Sequence, residues 1–167
     1  RLPVSLPRST GQVPVYYNYK NSYRAMTYMD KEAGPLFPFG YGLGYGTFEW
    51  GNCSLSTERC NVAALENKGL TISFSVKNTS ERGGYIVPQI YVTDVAASTV
   101  RRVKELKAFQ KVWLDAGQER TVSLQLGKEA FCLWNQKMKY VAEPGVFQIE
   151  LSDSAQTIWK GEFTLCI

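Results

Sequence analysis

From Leu70 onward, apolar residues repeatedly fall on every second position. "LTISFSVKNT" sets Leu70, Ile72, Phe74 and Val76 against Thr71, Ser73, Ser75 and Lys77. That is the period of a strand with one buried and one wet face. "RTVSLQLG" repeats it with Val122, Leu124 and Leu126, and "GVFQIELSD" with Phe147, Ile149 and Leu151 after the turn signal "EPG". "YIVPQIYVTD" is rich in β-formers, but Pro88 lacks an N–H and points to an edge or a bulge. "TIWKGEFTL" reads as the last strand, and "GKEAFCLWN" as a short helical turn between strands.

One segment does not alternate. "STVRRVKELKAFQKVWL" places Val103, Leu106, Phe109 and Trp113 at near-helical spacing, so periodicity alone favours a helix there. On the residues themselves the choice stays open. About six or seven strands with frequent turns and almost no helix predict an all-β fold. Its architecture is a two-layer antiparallel β-sandwich of immunoglobulin or fibronectin type III type.

Residues 1–46 have another texture: proline and tyrosine are frequent ("VYYNYKNSY") and no periodicity is visible. They predict an extended irregular segment that lies on another surface, ahead of a sandwich over residues 47–167. The opening "RLPVSLPRS" is neither a signal peptide nor a helix start, and reads as the middle of a longer chain.

Composition narrows the chemistry. Apolar content of 44% and charged content of 20% are globular values. No apolar run nears the roughly 18 residues of a membrane span, so no membrane partner is expected. The net charge of +4 is scattered among acidic residues, which argues against nucleic acid. The chain has no histidine, which removes Ser-His-Asp and Cys-His nucleophiles and most zinc sites. No cofactor or metal is expected.

The glycines of "FGYGLGYGTF" do not make a dinucleotide loop, because Tyr45 or Thr47 stands where the third glycine belongs and no helix pattern follows. The aromatic residues Phe37, Phe39, Tyr41, Tyr45 and Trp50, with Phe48, could stack on pyranose rings; packing between layers is the competing reading. Paired carboxylates for glycoside hydrolysis would come from Asp30 with Glu32 or Asp115 with Glu119, while Glu49 has no neighbour in sequence. These sit among turn-forming or charged residues and read as solvated surface. Arg101, Arg102, Lys104, Lys107 and Lys111 form a basic cluster broken by Glu105, read as a solvated face or a domain-docking patch. The two matches to the N-glycosylation pattern, at Asn52 and Asn78, carry no inference.

The cysteines are Cys53, Cys60, Cys132 and Cys166. In a sandwich, Cys53 and Cys60 lie close in sequence, and Cys132 and Cys166 return to the same pole. In an oxidising compartment two such bridges would add about 2.5 and 4 kcal/mol by loop entropy. Buried free thiols are the equal alternative.

Four collinear motifs then carry a resemblance. "RLPVSLPRSTGQVPVYYN", "GPLFPFGYGLGYGTFEW", "VRRVKELKAFQKVWL" and "WNQKMKYVAEPGVFQIEL" resemble the C-terminal part of glycoside hydrolase family 3, nearest to bacterial periplasmic β-glucosidases. The resemblance implies a fibronectin type III-like last domain, with residues 35–50 as the connection into it from a preceding α/β sandwich domain. It implies an irregular strand at "KELKAFQKVWL", and a periplasmic or secreted enzyme as parent. In that family the nucleophile and acid/base lie in a (β/α)8 barrel and a middle domain, neither of which has a counterpart here. No catalytic residue is therefore assigned.

The implied role is a non-catalytic domain docked on those two domains, with Arg101, Arg102, Lys104 and Glu105 as contact candidates and self-association of the isolated fragment as a consequence of its exposed lead-in. A carbohydrate-binding module is the alternative. Gly44, Gly46 and Arg102 depart from the family's common Ser, Thr and Pro.

Overall fold

The computed structural model describes residues 1–12, 14–20 and 34–167. Asp30 and Glu32, one of the carboxylate pairs considered above, lie outside them. In chain order the described elements are β1 (Phe48–Leu55), β2 (Arg59–Asn61), α1 (Val62–Lys68), β3 (Leu70–Asn78), β4 (Gly84–Ile86), β5 (Gln89–Asp94) and β6 (Glu105–Phe109). There follow β7 (Val112–Leu114), β8 (Glu119–Leu126), β9 (Cys132–Trp134), β10 (Tyr140–Ala142), β11 (Gly145–Asp153) and β12 (Gln156–Cys166). The mostly antiparallel β-sandwich expected from the alternation is what forms.

One layer has the order β1-β3-β8 and the other β2-β12-β11-β5-β6. Leu70, Ile72, Phe74 and Val76 of β3 all point inward and are almost wholly buried, as the period-two pattern requires. They meet Phe147, Ile149 and Leu151 of β11 and Phe163 and Leu165 of β12 in a single core. Phe131, on the 3-10 turn Lys128–Phe131, plugs one end of that core. Its ring centroid lies 5.1 Å from Phe147 and 5.2 Å from Phe163. The edge-on approach to Phe147 is the geometry an aromatic quadrupole prefers.

The helix favoured by the spacing of Val103, Leu106, Phe109 and Trp113 does not form. β6 instead pairs antiparallel with β5, and β7 with β4. Ile90 faces Ala108 and Tyr91 faces Leu106, so Lys107 is an extra, bulged residue. The chain then breaks at Gln110, whose N–H donates to the Pro88 carbonyl at 3.2 Å. A bulge and a break each add a residue to a period of two, and the sum imitates a period between three and four. Phe109 and Trp113 are in fact exposed, while Val112 and Leu114 are buried. Pro88 sits between β4 and β5, at the matching break in the neighbouring strand.

The sequence reading has no helix at Val62–Lys68, yet α1 is there. Asn61 caps it, its side-chain oxygen accepting from the Ala64 N–H at 2.8 Å. Gly69 ends it at φ +65°, donating to the Leu65 carbonyl at 2.8 Å. Only Leu65 is buried, so two turns left too short a pattern to detect.

Candidate functional site

β5 is buried on both faces. Ile90 and Val92 enter the core, while Gln89 and Tyr91, on the outer face, are only 4% and 3% exposed. The cover is the lead-in segment. Its two arms run antiparallel, Leu2 donating to Tyr41 O (2.8 Å), Gly40 to Leu2 O (2.9 Å) and Leu6 to Phe37 O (2.8 Å). This irregular ribbon lies across β5, β6 and the β11–β12 turn.

Gly40 is the closest approach. It has φ +81°, and a Cβ on it would lie 2.4 Å from Gln89 Oε1 and 2.9 Å from the Tyr91 hydroxyl. No other residue fits both the conformation and the space. Beside it, Phe39 stacks on Tyr17 (centroids 4.1 Å apart, planes 15°), and Tyr17 meets Tyr91 edge-on at 5.9 Å. Tyr91 donates to Gln89 Oε1 at 2.9 Å. Burial, aided by Tyr17 and Glu150, pushes the Tyr91 phenol above its ordinary range, so it stays a neutral donor.

A charged strip closes the seam. Lys104 Nζ lies 3.0 Å from Glu150 Oε1 and 4.6 Å above the Tyr91 ring. Ser152 and Thr157 also donate to Glu150, at 2.7 and 3.1 Å. Burial pushes the Glu150 carboxyl up, but these hydrogen bonds and the Lys104 charge outweigh it and hold the group below the usual carboxylate range. At the far end Arg1 donates to Asp153 at 3.0 Å and to Gly42 O at 2.8 Å. Gly42 and Ser154 exchange hydrogen bonds.

The aromatic set of residues 37–50 is thereby dispersed. Phe39 is in the seam, Tyr41 lies 5.1 Å from Phe37, and Trp50 packs 5.5 Å from the core ring Phe74. Tyr45 is fully exposed and Phe37 is 37% exposed. The rings do not form one open row.

The basic cluster is also dispersed, and largely neutralised inside the domain. Arg101 lies 3.6 Å from Asp94 and 3.2 Å from Glu105, which also takes Lys107 at 3.5 Å. Arg101 Nε is buried with no hydrogen-bond partner. Burial raises the Asp94 carboxyl against the pull of Arg101. Arg102 is exposed and donates to the Asn18 carbonyl at 2.9 Å, while Val103 N–H donates to Tyr19 O at 2.9 Å. Of the contact candidates, Arg101, Lys104 and Glu105 face their own domain, and Arg102 holds the lead-in.

The described carboxylate candidates each have a neighbour of another kind. Asp115 accepts from Trp113 Nε1 at 2.9 Å, and Glu49 and Glu119 flank Lys77 from the two neighbouring strands. No cluster of His, Cys, Asp and Glu suited to a metal occurs among the described residues. No helix among them is long and apolar enough to cross a membrane. All four cysteines are free thiols. Neither Cys53–Cys60 nor Cys132–Cys166 is joined. β2 runs parallel to β12, setting Cys60 opposite Leu165 and Asn61 opposite Cys166. Cys132 Sγ instead donates to Lys128 O at 3.4 Å. Burial pushes the Cys53 thiol up to about 11.

Tyr17, Gln89, Tyr91, Glu150 and Ser154 were not singled out by the sequence. The one available signal was "QIYV", an apolar run that fails to alternate and so marks a strand covered on both faces.

Comparison with known proteins accords with this architecture. Residues 86–155 match the family model of the fibronectin type III-like domain. The periplasmic β-glucosidase of Salmonella typhimurium is 42% identical over 99% of this chain, which spans 22% of that protein. A β-xylosidase of Formosa agariphila is 40% identical over 93% of this chain and is spanned to 21%. Among solved structures, a β-glucosidase from Listeria innocua in complex with glucose superposes with a TM-score of 0.87 at 37% identity, covering 98% of this chain and 24% of that one. The chain thus spans about a fifth of the length of the curated relatives it matches. The domain match inside the sandwich and the overlap along nearly the whole chain place it in glycoside hydrolase family 3, as the part that carries the fibronectin type III-like domain.

Proposed function

We propose that this chain is the non-catalytic structural domain of a family 3 glycoside hydrolase of β-glucosidase or β-xylosidase type. Residues 1–46 are the segment leaving a preceding α/β domain, and residues 47–167 are the sandwich. The domain stabilises its parent by docking on the catalytic barrel and the α/β domain. The parent's place is periplasmic or secreted, a reading supported by the name of the Salmonella relative.

The observation that carries this is the seam. Gly40, Tyr17 and Phe39 fix the lead-in on the sandwich while leaving its other side apolar and open. Val4, Leu6, Leu36, Leu43 and Tyr45 are between 41% and 107% exposed. Several exposed apolar side chains along one short segment mark a surface made for a partner.

The test has two arms. The purified chain is assayed with aryl β-glucosides and β-xylosides, and turnover is expected only from the parent. In the parent, Leu36→Ser with Phe37→Ser should lower the melting temperature by several degrees and cut activity. Turnover by the chain alone, or a parent variant that melts and works like wild type, overturns the reading.

A further inference from the structure

The loop over residues 95–103 joins β5 to β6 beside the place where the lead-in crosses. It is pinned along its length. Val95 N–H donates to Val146 O at 3.1 Å, and Ser98 donates through its N–H and hydroxyl to Glu143 at 3.1 and 2.7 Å. Thr93 donates to Val103 O at 2.9 Å. Yet this fixed loop holds two β-branched apolar side chains out in water: Val95 is 54% exposed and Val100 67%. Between them a cleft is lined by Asp94, Ala97, Thr99, Arg101 and Gln148.

A second observation concerns the floor of that cleft. The Asp94 side chain is 4% exposed, and Arg101 Nε is buried without an acceptor, 3.6 Å from Asp94 Oδ2. That distance is beyond a normal hydrogen bond of about 3 Å. Because Nε is already shut off from solvent, a sugar or a water entering the cleft does not reach it.

We propose that residues 95–100 form a second docking face, distinct from the apolar side of the lead-in, on which an apolar surface of the parent's own catalytic domains closes over Val95 and Val100. The inference rests on the structural role proposed above. Its occupant is argued from continuity: Arg102 and Lys20 bridge the loop to the lead-in, so whatever receives the lead-in's outer side is a short step from the valines. The remaining four-fifths of the relatives' length leaves ample chain to supply that surface.

The experiment compares Val95→Ser with Val100→Ser, together, in the parent enzyme and in this chain alone. Both side chains are exposed here, so the isolated chain should melt within about 2 °C of wild type. The parent should lose about 5 °C or more, and amides of residues 95–103 should exchange faster in the parent variant than in the parent. If the chain alone is destabilised equally, the valines serve the fold and the inference is wrong. If the parent tolerates them but falters with Leu36→Ser and Phe37→Ser, the domain docks without this face. If neither pair matters, docking itself fails. If the valines instead dissociate a dimer of the isolated chain, the occupant is a second copy and the assignment is overturned.

Discussion

Replacing Gly40 by alanine tests the seam at its tightest point. The new Cβ would stand 2.4 Å from Gln89 Oε1, 2.9 Å from the Tyr91 hydroxyl and 3.1 Å from Gln89 Cδ. It would also hold a β-carbon at φ +81°. The left-handed conformation costs roughly 1–2 kcal/mol for a non-glycine residue. Forcing Gln89 and Tyr91 apart adds about 1–3 kcal/mol of overpacking, and their 2.9 Å hydrogen bond is worth about 1 kcal/mol.

A sum of about 3–6 kcal/mol has a ceiling, because the lead-in can peel away. The most the substitution can cost is what docking the lead-in contributes. Two assays therefore run together: urea unfolding by tryptophan fluorescence, and limited proteolysis scored for cuts in residues 36–46. The expected result is a loss of about 3 kcal/mol, or a smaller loss with rapid cleavage of the lead-in. Gly40→Ala with an unchanged midpoint and an uncut lead-in would refute the argument that close approach requires glycine.

Phe131→Ala should cost about 3–5 kcal/mol, since its ring fills the end of the core between Phe147 and Phe163; denaturant melts read it. Ala155→Gly should stabilise by about 0.5–1 kcal/mol, because Ala155 sits at φ +62° in the tight β11–β12 turn, where a two-residue hairpin favours glycine. The Glu150 carboxyl is held below its unfolded value, so its contribution is present above the unfolded carboxylate range and is lost as the pH falls through the folded one. Glu150→Gln should accordingly flatten the acid limb of the melting temperature against pH, and an unaltered acid limb would remove Glu150 from the seam. Thiol titration of the unreduced, unfolded chain should find four thiols per molecule; two would mean that one bridge forms after all.

How much of this fold was legible followed from which faces each strand shows. β3, β8 and β11 were readable because one face meets the core and the other meets water, which writes a period of two into the residues. β5 hid its role: a strand covered by the core on one side and by Gly40, Phe39 and Tyr17 on the other has no wet face to alternate with. β6 and β7 misled because the bulge at Lys107 and the break at Gln110 stretch the period. The resemblance to the family corrected what periodicity could not, since a family motif carries register without needing it to be regular.

The seam was illegible for a further reason. Tyr17 meets Phe39 and Tyr91, and Lys104 meets Glu150, across separations at which no local pattern records a partner. The same holds for charge. A row of Arg101, Arg102, Lys104 and Lys107 shows its sign in the sequence, but Asp94 and Glu150 come from other strands and, with Glu105 of the same strand, offset much of it. The part of that neutralisation that comes from other strands has no record in the local sequence. What remains outward after neutralisation at this edge of the domain is Arg102, engaged with the lead-in, and the bare valines ahead of it. A docking face read by the sign of the charge would look to the arginines; one read by unmatched burial looks to Val95 and Val100.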